Sequence, residues 1–375
     1  MKKRIMHITQ ANGGVARYLQ MLFKYMDRNK YEQILIYPNE YDYEKKDFKN
    51  LVDNIEFIDI YREINLKKDI ISIYKLYKLI KKYNPDLIYV HSSKAGALGR
   101  IANSIIKKPI IYNPHGWAFN MNVSNKKKFI YKTVEKVLAK KCDKIIAISD
   151  QEKRSAIEKN ICNEEKIEVI FNGIDIEEYK NNIVDKHDII KRLNIPSDSI
   201  VIGMVGRISK QKAPDIFIKA AAKIKQKIPN AFFVIVGDGD ERKEIEKLLL
   251  ELGLGDSALI TGWVKNTYKY IQAFDIAMLL SRWEGFGLAI AEYMVCGVPV
   301  IATNVDAIPN LVTNNENGLL VEKDNIEQVV NSTLKLLKDK TFQNKLIENS
   351  KIKVKEKFDV KRVAVEHQRV IDTFI

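Results

Sequence analysis

The sequence of 375 residues has little cysteine and no long apolar run. Its three cysteines are scattered and form no C-x-x-C pair: Cys142, Cys162 and Cys296. This pattern favours a reducing compartment and argues against a cysteine zinc site. No apolar run approaches the length of a membrane-spanning helix. His7 and Thr9 interrupt the apolar run after the basic residues 1–4, which is not typical of a signal peptide. We therefore expect a protein that is made and kept in the cytosol.

Acidic residues are scarcer than basic ones. There are 48 Asp and Glu against 62 Lys and Arg, a net charge of +14. Such an excess indicates an anionic partner, which is a nucleic acid, an acidic membrane surface or a phosphorylated substrate. A general bias towards Lys, Ile and Asn gives the same excess, so the charge alone does not choose among them. Length and a hydrophobic content of 46% predict a globular protein of two or three domains.

Predicted strands and helices alternate along the chain, and internal repeats and low-complexity tracts are lacking. The alternation predicts parallel sheets that are covered on both faces by helices. Ligands of such sheets gather at the carboxyl ends of the strands. The first series of strands ends near residue 171 and the second begins near residue 200. The polar residues 181–187 between them are the predicted linker.

Residues 283–299 predict a compact unit of glycine turn and helix, placed between two buried strands. Two carboxylates, Glu284 and Glu292, frame the turn and the first part of the helix. A helix N-terminus offers free N–H groups and a partial positive charge, both suited to a phosphate. With the helical rise, the carboxylates are roughly 10 Å apart along the axis. This pattern suits a nucleotide sugar, which has hydroxyls at both ends and a diphosphate between them. The simpler alternative is a solvated Glu284 and a surface Glu292.

This stretch resembles the E-x7-E signature of the retaining GT-B glycosyltransferases of family 4. The resemblance implies an α/β fold of two Rossmann-like, doubly wound domains that face each other across a cleft. Residues 1–182 would bind the acceptor and residues 190–357 the nucleotide sugar, with a helix in residues 358–375 crossing back to the first domain. Glu284 would contact hydroxyls of the donor sugar and Glu292 its ribose. The turn between them would also bind the donor: Gly285, Phe286, Gly287 and Leu288.

Residues 206–212 also resemble this family. Arg207, after Gly206, and Lys212 match the cationic pair that clamps the donor diphosphate. Cations placed in advance stabilise the negative charge that builds on the leaving phosphate. Two solvated residues at a helix start are the simpler alternative.

Residues 237–240 resemble the turn near the nucleotide base, with Gly237 and Gly239 as donor-binding residues. Trp263 would line the base pocket. Asp238 and Asp240 also form a D-x-D pattern, but the GT-B plan uses cations and a helix terminus. We therefore expect no metal and no cofactor, since the nucleotide sugar is a substrate. Residues 306–310 depart from the family's G-G-x-P-E, which puts close backbone approach to the ligand there in doubt.

Three sites in the first half follow predicted strands. Gly14, in a tight loop before a helix, would lie beside the donor phosphates or the acceptor; a plain turn is the alternative. His115, between Pro114 and Gly116, resembles the family histidine that contacts the donor sugar, and a satisfied structural histidine is its alternative. Residues 91–94, which include His91, are expected near the acceptor.

Residues 126–141 predict a basic amphipathic helix. Its apolar stripe contains Phe129, Ile130, Val134, Val137 and Leu138. Four lysines beside the stripe are candidates for binding an anionic membrane surface: Lys126, Lys127, Lys128 and Lys132. The alternative is a stripe packed on the sheet with the lysines in water.

Together these features predict a retaining glycosyltransferase with a nucleotide-sugar donor, for which UDP is the expected nucleotide. The expected acceptor is a hydroxyl of a lipid-linked saccharide in capsule, exopolysaccharide or lipopolysaccharide synthesis. The expected place is the cytoplasm, peripheral on the inner face of the membrane. A nucleotide-sugar epimerase of the same fold and a non-catalytic nucleotide-sugar binder remain alternatives. Charge alone suggests a nucleic-acid-binding protein, and we expect no nucleic-acid partner.

Overall fold

The computed structural model describes residues 1–10, 13–61, 63–121 and 123–375. Its contacts divide the chain into two units. The first contains Met1–Gly173 and Val360–Ile375, and the second contains Ile174–Asp359. Each unit has its own parallel sheet with helices packed against it. The predicted alternation of strands and helices is therefore confirmed in both halves of the chain.

The first unit contains a seven-stranded sheet in the order β3-β2-β1-β4-β5-β6-β7, in which every pairing is parallel. Nearly all side chains of the central strands are buried, because helices cover the sheet. The strands are β1 (Lys3–Thr9), β2 (Tyr31–Pro38), β3 (Asn54–Ile58), β4 (Leu87–His91), β5 (Ile110–Asn113), β6 (Lys144–Ala147) and β7 (Ile167–Val169).

The helices of this part of the chain are α1 (Gly14–Tyr25), α2 (Lys45–Phe48), α3 (Leu66–Tyr83), α4 (Ser93–Ile106), α5 (Asn125–Ala139) and α6 (Asp150–Glu158). Side-chain caps mark several starts. Asn65 accepts from the N–H of Lys68 at α3, and Ser149 accepts from that of Glu152 at α6. Short 3-10 helices cover Asn39–Glu44, Ala118–Asn120 and Glu164–Lys166.

The second unit contains a six-stranded parallel sheet in the order β10-β9-β8-β11-β12-β13. The strands are β8 (Ile200–Val205), β9 (Ala231–Val236), β10 (Ala258–Ile260), β11 (Ile276–Leu279), β12 (Val300–Thr303) and β13 (Leu319–Val321). In each sheet the strand order reverses direction between two neighbouring strands. These are β1 and β4 in the first sheet and β8 and β11 in the second. Doubly wound folds place their ligands at such a point.

The helices of the second unit are α7 (Ile176–Lys180), α8 (Lys186–Arg192), α9 (Pro214–Lys227), α10 (Arg242–Glu251), α11 (Tyr268–Ile271), α12 (Leu288–Val295), α13 (Ile308–Leu311), α14 (Ile326–Lys338) and α15 (Lys340–Lys357). Gly255–Ser257 forms a 3-10 helix. The last helix, α16 (Val360–Asp372), packs on α1 in the first unit. None of the helices among the described residues is both long and apolar enough to cross a membrane.

The predicted linker at 181–187 belongs to the second unit, and the first unit ends at Gly173. Hydrogen bonds explain the difference. The N–H of Val184 donates to Oε1 of Gln272 at 2.9 Å, and Nζ of Lys186 lies 2.6 Å from Oδ1 of Asp275. Low apolar content suggested a linker, but polar contacts tie this segment to α11 and the start of β11.

Candidate active site

The loops after β8 and β11 meet at the carboxyl edge of the second sheet. Nζ of Lys212, from the loop after β8, donates to Oε2 of Glu284, from the loop after β11. Ser281 donates its hydroxyl to the same carboxylate oxygen at 3.2 Å. The side chains of Lys212 and Glu284 are 19% and 10% exposed, so both remain accessible to a ligand. The structure therefore brings one predicted cation to the acidic turn.

Arg282 fastens these two loops together. Its guanidinium binds Asp215 through two bonds of 3.0 and 2.7 Å, and also donates to the carbonyl of Lys210 at 3.1 Å. The side chain of Gln211 donates to the carbonyl of Trp283 at 3.1 Å. A bidentate arginine–carboxylate pair fixes direction as well as distance. Arg282 therefore positions Lys212 opposite Glu284, a role that the sequence did not suggest.

Asp306 holds the backbone of the acidic turn. Its Oδ2 accepts the N–H of Glu284 at 2.9 Å. The residue lies at a φ of 44°, in the left-handed region that glycine occupies easily. Asp306, one of the residues that replace the expected glycines, thus adopts a glycine-like conformation and supplies an acceptor to Glu284.

Helix α12 starts directly after this turn. Gly287, at a φ of 93°, precedes Leu288, the first helical residue. The side chain of Phe286 is buried and packs edge-on against Phe358, with ring centroids 5.6 Å apart. The Phe286 ring is therefore packed within the second unit, and the predicted donor contact of this residue stays a prediction. The helix N-terminus is built as the sequence predicted, with the first residue one turn before Glu292.

Glu292 is 5% exposed and accepts a hydrogen bond from the hydroxyl of Thr267 at 3.3 Å. It is not the surface residue of the simpler alternative. The adjacent Tyr293 accepts the N–H of Val205 at 2.7 Å and donates to the carbonyl of Met278 at 3.4 Å. Because Tyr293 joins the ends of β8 and β11, it holds α12 at the edge where the sheet order turns.

Glycines 237 and 239 let two loops pack backbone against backbone. A Cβ on Gly237 would lie 2.0 Å from the carbonyl oxygen of Gly206. A Cβ on Gly239 would lie 2.3 Å from the oxygen of Ile208 and 2.9 Å from Cγ of Arg207. The packing of β8 and β9 loops alone requires both glycines, and their predicted contact with the donor stays a prediction.

The two predicted cations, Arg207 and Lys212, both project from the loop after β8. The stem of Lys212 passes 3.5 Å from where a Cβ of Gly206 would lie, while the stem of Arg207 runs beside Gly239. Arg207 is exposed, whereas Lys212 is half-buried at Glu284. The structure joins Lys212 to the acidic turn and leaves Arg207 open to solvent.

Asp238 of the D-x-D pattern is engaged by protein groups. Its Oδ1 accepts the N–H of Gly239 at 2.8 Å, and its Oδ2 pairs with Arg242 at 2.8 Å. These bonds hold the pKa of the Asp238 carboxyl below its ordinary value.

Trp263 is 66% exposed and follows Gly262, which bridges to Gly237. Its role at the base stays a prediction.

The carboxyl edge of the first sheet carries a row of imidazole rings, which we call the histidine file: His115, His91 and His7. Nε2 of His115 lies 3.0 Å from Nδ1 of His91. Nε2 of His91 lies 3.1 Å from Nδ1 of His7, whose Nε2 lies 2.8 Å from Oε1 of Gln33. Three strands, β1, β2 and β4, and the loop after β5 supply these residues. The sequence singled out His115 and His91 but missed His7 and Gln33.

The C-terminal helix adds a fourth ring beside the file. His367 is hydrogen-bonded to the hydroxyl of Tyr18 and, at 3.0 Å, to that of Tyr89. The ring of Tyr18 also stands edge-on to His115, with centroids 5.0 Å apart. Burial lowers the pKa of His7, His115 and His367 to about 3 and that of His91 well below its ordinary value. These four rings are therefore polar but uncharged at neutral pH.

A hydrogen bond holds the backbone of His115 in an uncommon conformation. The residue has a φ of 49°, and its N–H donates to Oδ1 of Asn113 at 3.0 Å. A side chain in the left-handed region is uncommon and clusters at functional sites. Behind this loop, burial raises the pKa of the Glu152 carboxyl to about 8. His115 is thus a rigidly placed neutral ring.

The other predicted residues of the first half lie at the same edge. Lys94 is paired with Asp69 at 2.6 Å, so its charge is already neutralised. Gly14 is the first residue of α1, while residues 11 and 12 of its loop lie outside the described ranges. The predicted ligand contacts of Gly14 and of residues 91–94 stay predictions.

Two family models cover the two units. One, described as Glycosyltransferase Family 4, matches residues 12–178, and one described as Glycosyl transferases group 1 matches residues 185–353. The fold is that of HepE from Anabaena, solved in complex with UDP and glucose, with a TM-score of 0.85 and 23% identity over 99% of this chain and 100% of that one. The fold is therefore GT-B, as the resemblance implied.

A curated relative is more similar in sequence. The chain is 35% identical over 308 residues to the UDP-Gal:alpha-D-GlcNAc-diphosphoundecaprenol alpha-1,3-galactosyltransferase of Escherichia coli, covering 80% of this chain and 79% of the relative. The capsular polysaccharide biosynthesis glycosyltransferase CapM of Staphylococcus aureus is 29% identical, with 88% of each chain covered. The chain belongs to the family-4 glycosyltransferases and is an enzyme of that class.

Proposed function

We propose that this enzyme transfers a sugar from a UDP-sugar to a hydroxyl of a saccharide carried on a lipid diphosphate, with retention at the anomeric carbon. Two relatives support the proposal, since one is named for UDP-Gal and a diphosphoundecaprenol acceptor and the other for capsular polysaccharide synthesis. The product would enter a capsule, exopolysaccharide or lipopolysaccharide. We place the reaction at the cytoplasmic face of the cell membrane.

The observation that carries this proposal is the pairing of Lys212 with Glu284 at the start of α12. A diphosphate at the helix N-terminus would draw the ammonium of Lys212 toward itself and leave the Glu284 carboxylate to accept sugar hydroxyls. The pair therefore holds both groups ready before the donor arrives. Exposed Arg207, which leaves the same turn, would supply the second cation.

The chemistry then depends on charge at the leaving group. As the glycosidic bond breaks, negative charge grows on the diphosphate, where Lys212, Arg207 and the free N–H groups of α12 stabilise it. The acceptor hydroxyl attacks from the same face and passes its proton to the departing phosphate oxygen. His115 would orient the sugar, and Glu292 would bind the ribose. No metal ion is required in this scheme.

A transfer assay tests the proposal. The purified chain is incubated with UDP-galactose, UDP-glucose or UDP-N-acetylglucosamine and a short-chain lipid diphosphate carrying N-acetylglucosamine. We expect one donor to release UDP only when the acceptor is present, and the product's anomeric coupling in NMR to match that of the donor. Equal UDP release without acceptor, or an inverted product, would contradict it.

A lipid-linked acceptor requires contact with the membrane, and we infer that helices α3, α4 and α5 provide it. Large apolar side chains on these helices are exposed: Leu66, Ile70, Ile71, Tyr74, Ile101, Ile105, Phe129, Ile130, Val134 and Val137. In α5 only Glu135, Leu138 and Ala139 are buried, so most of the predicted stripe is not packed on the sheet. Lysines 126 and 127 are exposed, while Lys128 and Lys132 are half-buried. Exposed apolar side chains beside lysines match an anionic bilayer.

Vesicle flotation tests this surface. We expect the chain to float with vesicles that contain a third phosphatidylglycerol and to stay behind with neutral ones. Changing Lys126, Lys127 and Lys128 to Glu should reduce the bound fraction several-fold, because each lysine near the surface contributes attraction. A matched control changes three exposed lysines of the second unit, Lys243, Lys323 and Lys345. Equal loss in the two variants would remove the proposed surface.

A further inference from the structure

In the arrangement that the structure shows, the histidine file ends at the amide oxygen of Gln33, while the amide nitrogen of Gln33 is buried without a hydrogen-bond partner among the described residues. Oε1 of Gln33 faces Nε2 of His7 at 2.8 Å, and both side chains are fully buried. A neutral imidazole carries one N–H donor and one bare acceptor nitrogen. Because the amide oxygen in this position cannot donate, this arrangement places the hydrogen of His7 on Nε2 and leaves its Nδ1 bare.

The same pairing of one N–H donor with one bare nitrogen fixes the hydrogens of His91 and His115. Bare Nδ1 of His7 receives the N–H of His91 at 3.1 Å, so the hydrogen of His91 is on Nε2 and its Nδ1 is bare. Bare Nδ1 of His91 in turn receives Nε2–H of His115 at 3.0 Å. Nδ1 of His115 is then left bare. None of the described residues makes a hydrogen bond to it.

We propose that Gln33, His7 and His91 are positioning residues that select the tautomer of His115, so that its bare Nδ1 accepts a hydrogen bond from a substrate hydroxyl. This inference rests on the proposed function, in which His115 orients the sugar. A carbohydrate hydroxyl is a ready donor, and a fixed acceptor opposite it would select for orientation as well as binding.

A second hydrogen on any ring would disturb the proposed arrangement. On His7 or His91 it would place two donors against each other at one N···N contact, and on His115 it would occupy the Nδ1 that is to accept from the substrate. The groups that face the file are neutral as well, namely Tyr18, Tyr89, Asn113 and His367. Burial, which lowers the pKa of each ring, supports the same state.

Turning the Gln33 amide over would reverse every bond. Its NH2 group would then donate to His7, each ring would shift its hydrogen to Nδ1, and His115 would present an N–H donor instead of an acceptor. The two arrangements predict opposite hydrogen positions on one ring. They also predict opposite partners, since a donor at His115 would need a lone pair of the substrate.

Nitrogen NMR of the full chain distinguishes them without any substrate. Histidine labelled with nitrogen-15 reports separately on bare and protonated ring nitrogens, and the chain has only five histidines. The signals of His115 are identified by their loss in His115→Asn. We expect Nδ1 of His115 to be bare and Nε2 to carry the hydrogen. Exposed His187 serves as the internal reference for a ring that exchanges between tautomers.

Gln33→Met removes the terminal acceptor while preserving length. We expect both nitrogens of His115 to shift toward averaged values and kcat/KM for the donor to fall about two- to tenfold, the effect of weakening one hydrogen bond. Gln343→Met, a buried glutamine of the second unit, is the matched control and should change neither. His7→Phe replaces Gln33→Met if the latter does not fold, because it removes the acceptor of His91.

A hydrogen on Nδ1 of His115 in the unchanged protein would overturn the inference, and so would an unchanged His115 signal in both variants. A bare Nδ1 that depends on Gln33, in a chain without transfer activity, would support the file but contradict the proposed function. Transfer activity in a chain whose His115 carries its hydrogen on Nδ1 would support the proposed function and contradict the file.

Discussion

The two units share one architecture and carry opposite chemistry at the same edge. The first unit carries neutral rings at this edge, in two hydrogen-bonded groups: the histidine file, and His367 with Tyr18 and Tyr89. The second ends its strands in Lys212, Glu284 and Arg282, which are partly open to water. We infer that a neutral edge suits hydroxyls and a charged edge suits a diphosphate. In this proposal, sheet topology sets where each ligand lies, and burial sets its chemical kind.

Lowering the pH should destabilise the first unit far more than the second, and this is the largest difference that we expect between them. Burial lowers the pKa of His7, His115 and His367 to about 3, so the unfolded chain binds protons below about 6.5 that the folded unit does not. Their contribution to stability is complete above pH 6.5 and is lost as the pH falls toward 3. From pH 7.5 to pH 5 we expect the first unit to lose on the order of 2 kcal/mol per histidine.

Hydrogen exchange followed by mass spectrometry at the two pH values measures this loss in each unit. The second unit has one histidine, exposed His187, and should change much less. Equal loss of protection in both units would contradict the contrast in burial.

Removing the cation tests the charged edge. Lys212→Met keeps the aliphatic stem but removes the ammonium, so we expect kcat/KM for the donor to fall roughly 100-fold or more, as when one preorganised charge is lost. The neighbouring Lys210 is exposed, and Lys210→Met is the control. Steady-state assays of UDP release measure both. A similar loss in both variants would mean that Lys212 contributes only to the net positive charge of this region and makes no specific contact with the donor.

Substitution of Asp306 should have the smallest effect on the kinetics of the enzyme. Asp306→Gly tolerates the φ of 44° but removes the acceptor of the Glu284 N–H. We expect the KM for the donor to rise about three- to tenfold with a smaller change in kcat, because a turn is loosened while no charge is lost. Asp306→Asn retains an acceptor and tolerates the same φ, so it should resemble the unchanged enzyme. A larger effect in Asn than in Gly would contradict this role.

Much of the charged edge was predictable because its chemistry is local. The glycine turn, the start of α12 and both glutamates lie within ten consecutive positions, and helix termini act at short range. Family membership confirms the predicted fold and class of enzyme. The packing of Phe286 was not predictable in this way, since its ring pairs with Phe358, a partner far along the chain.

The neutral edge was less predictable because its contacts are distant in sequence. His7, Gln33 and His91 come from three strands, and His367 comes from the last helix. Histidines within strands look like ordinary core residues until the strand order is known. A count of five histidines, four of them close to predicted strand ends or the terminal helix, was the available signal.

The sequence alone determined the alternation of strands and helices, the glycine turn at the start of α12 and the membership of a glycosyltransferase family, because each depends on neighbouring residues or on a short motif. Tertiary structure decided which side chains touch: that Lys212 meets Glu284, that Asp306 holds the turn and that three histidines stand in a file. Those contacts depend on strand order, which brings together residues that the chain keeps tens of positions apart.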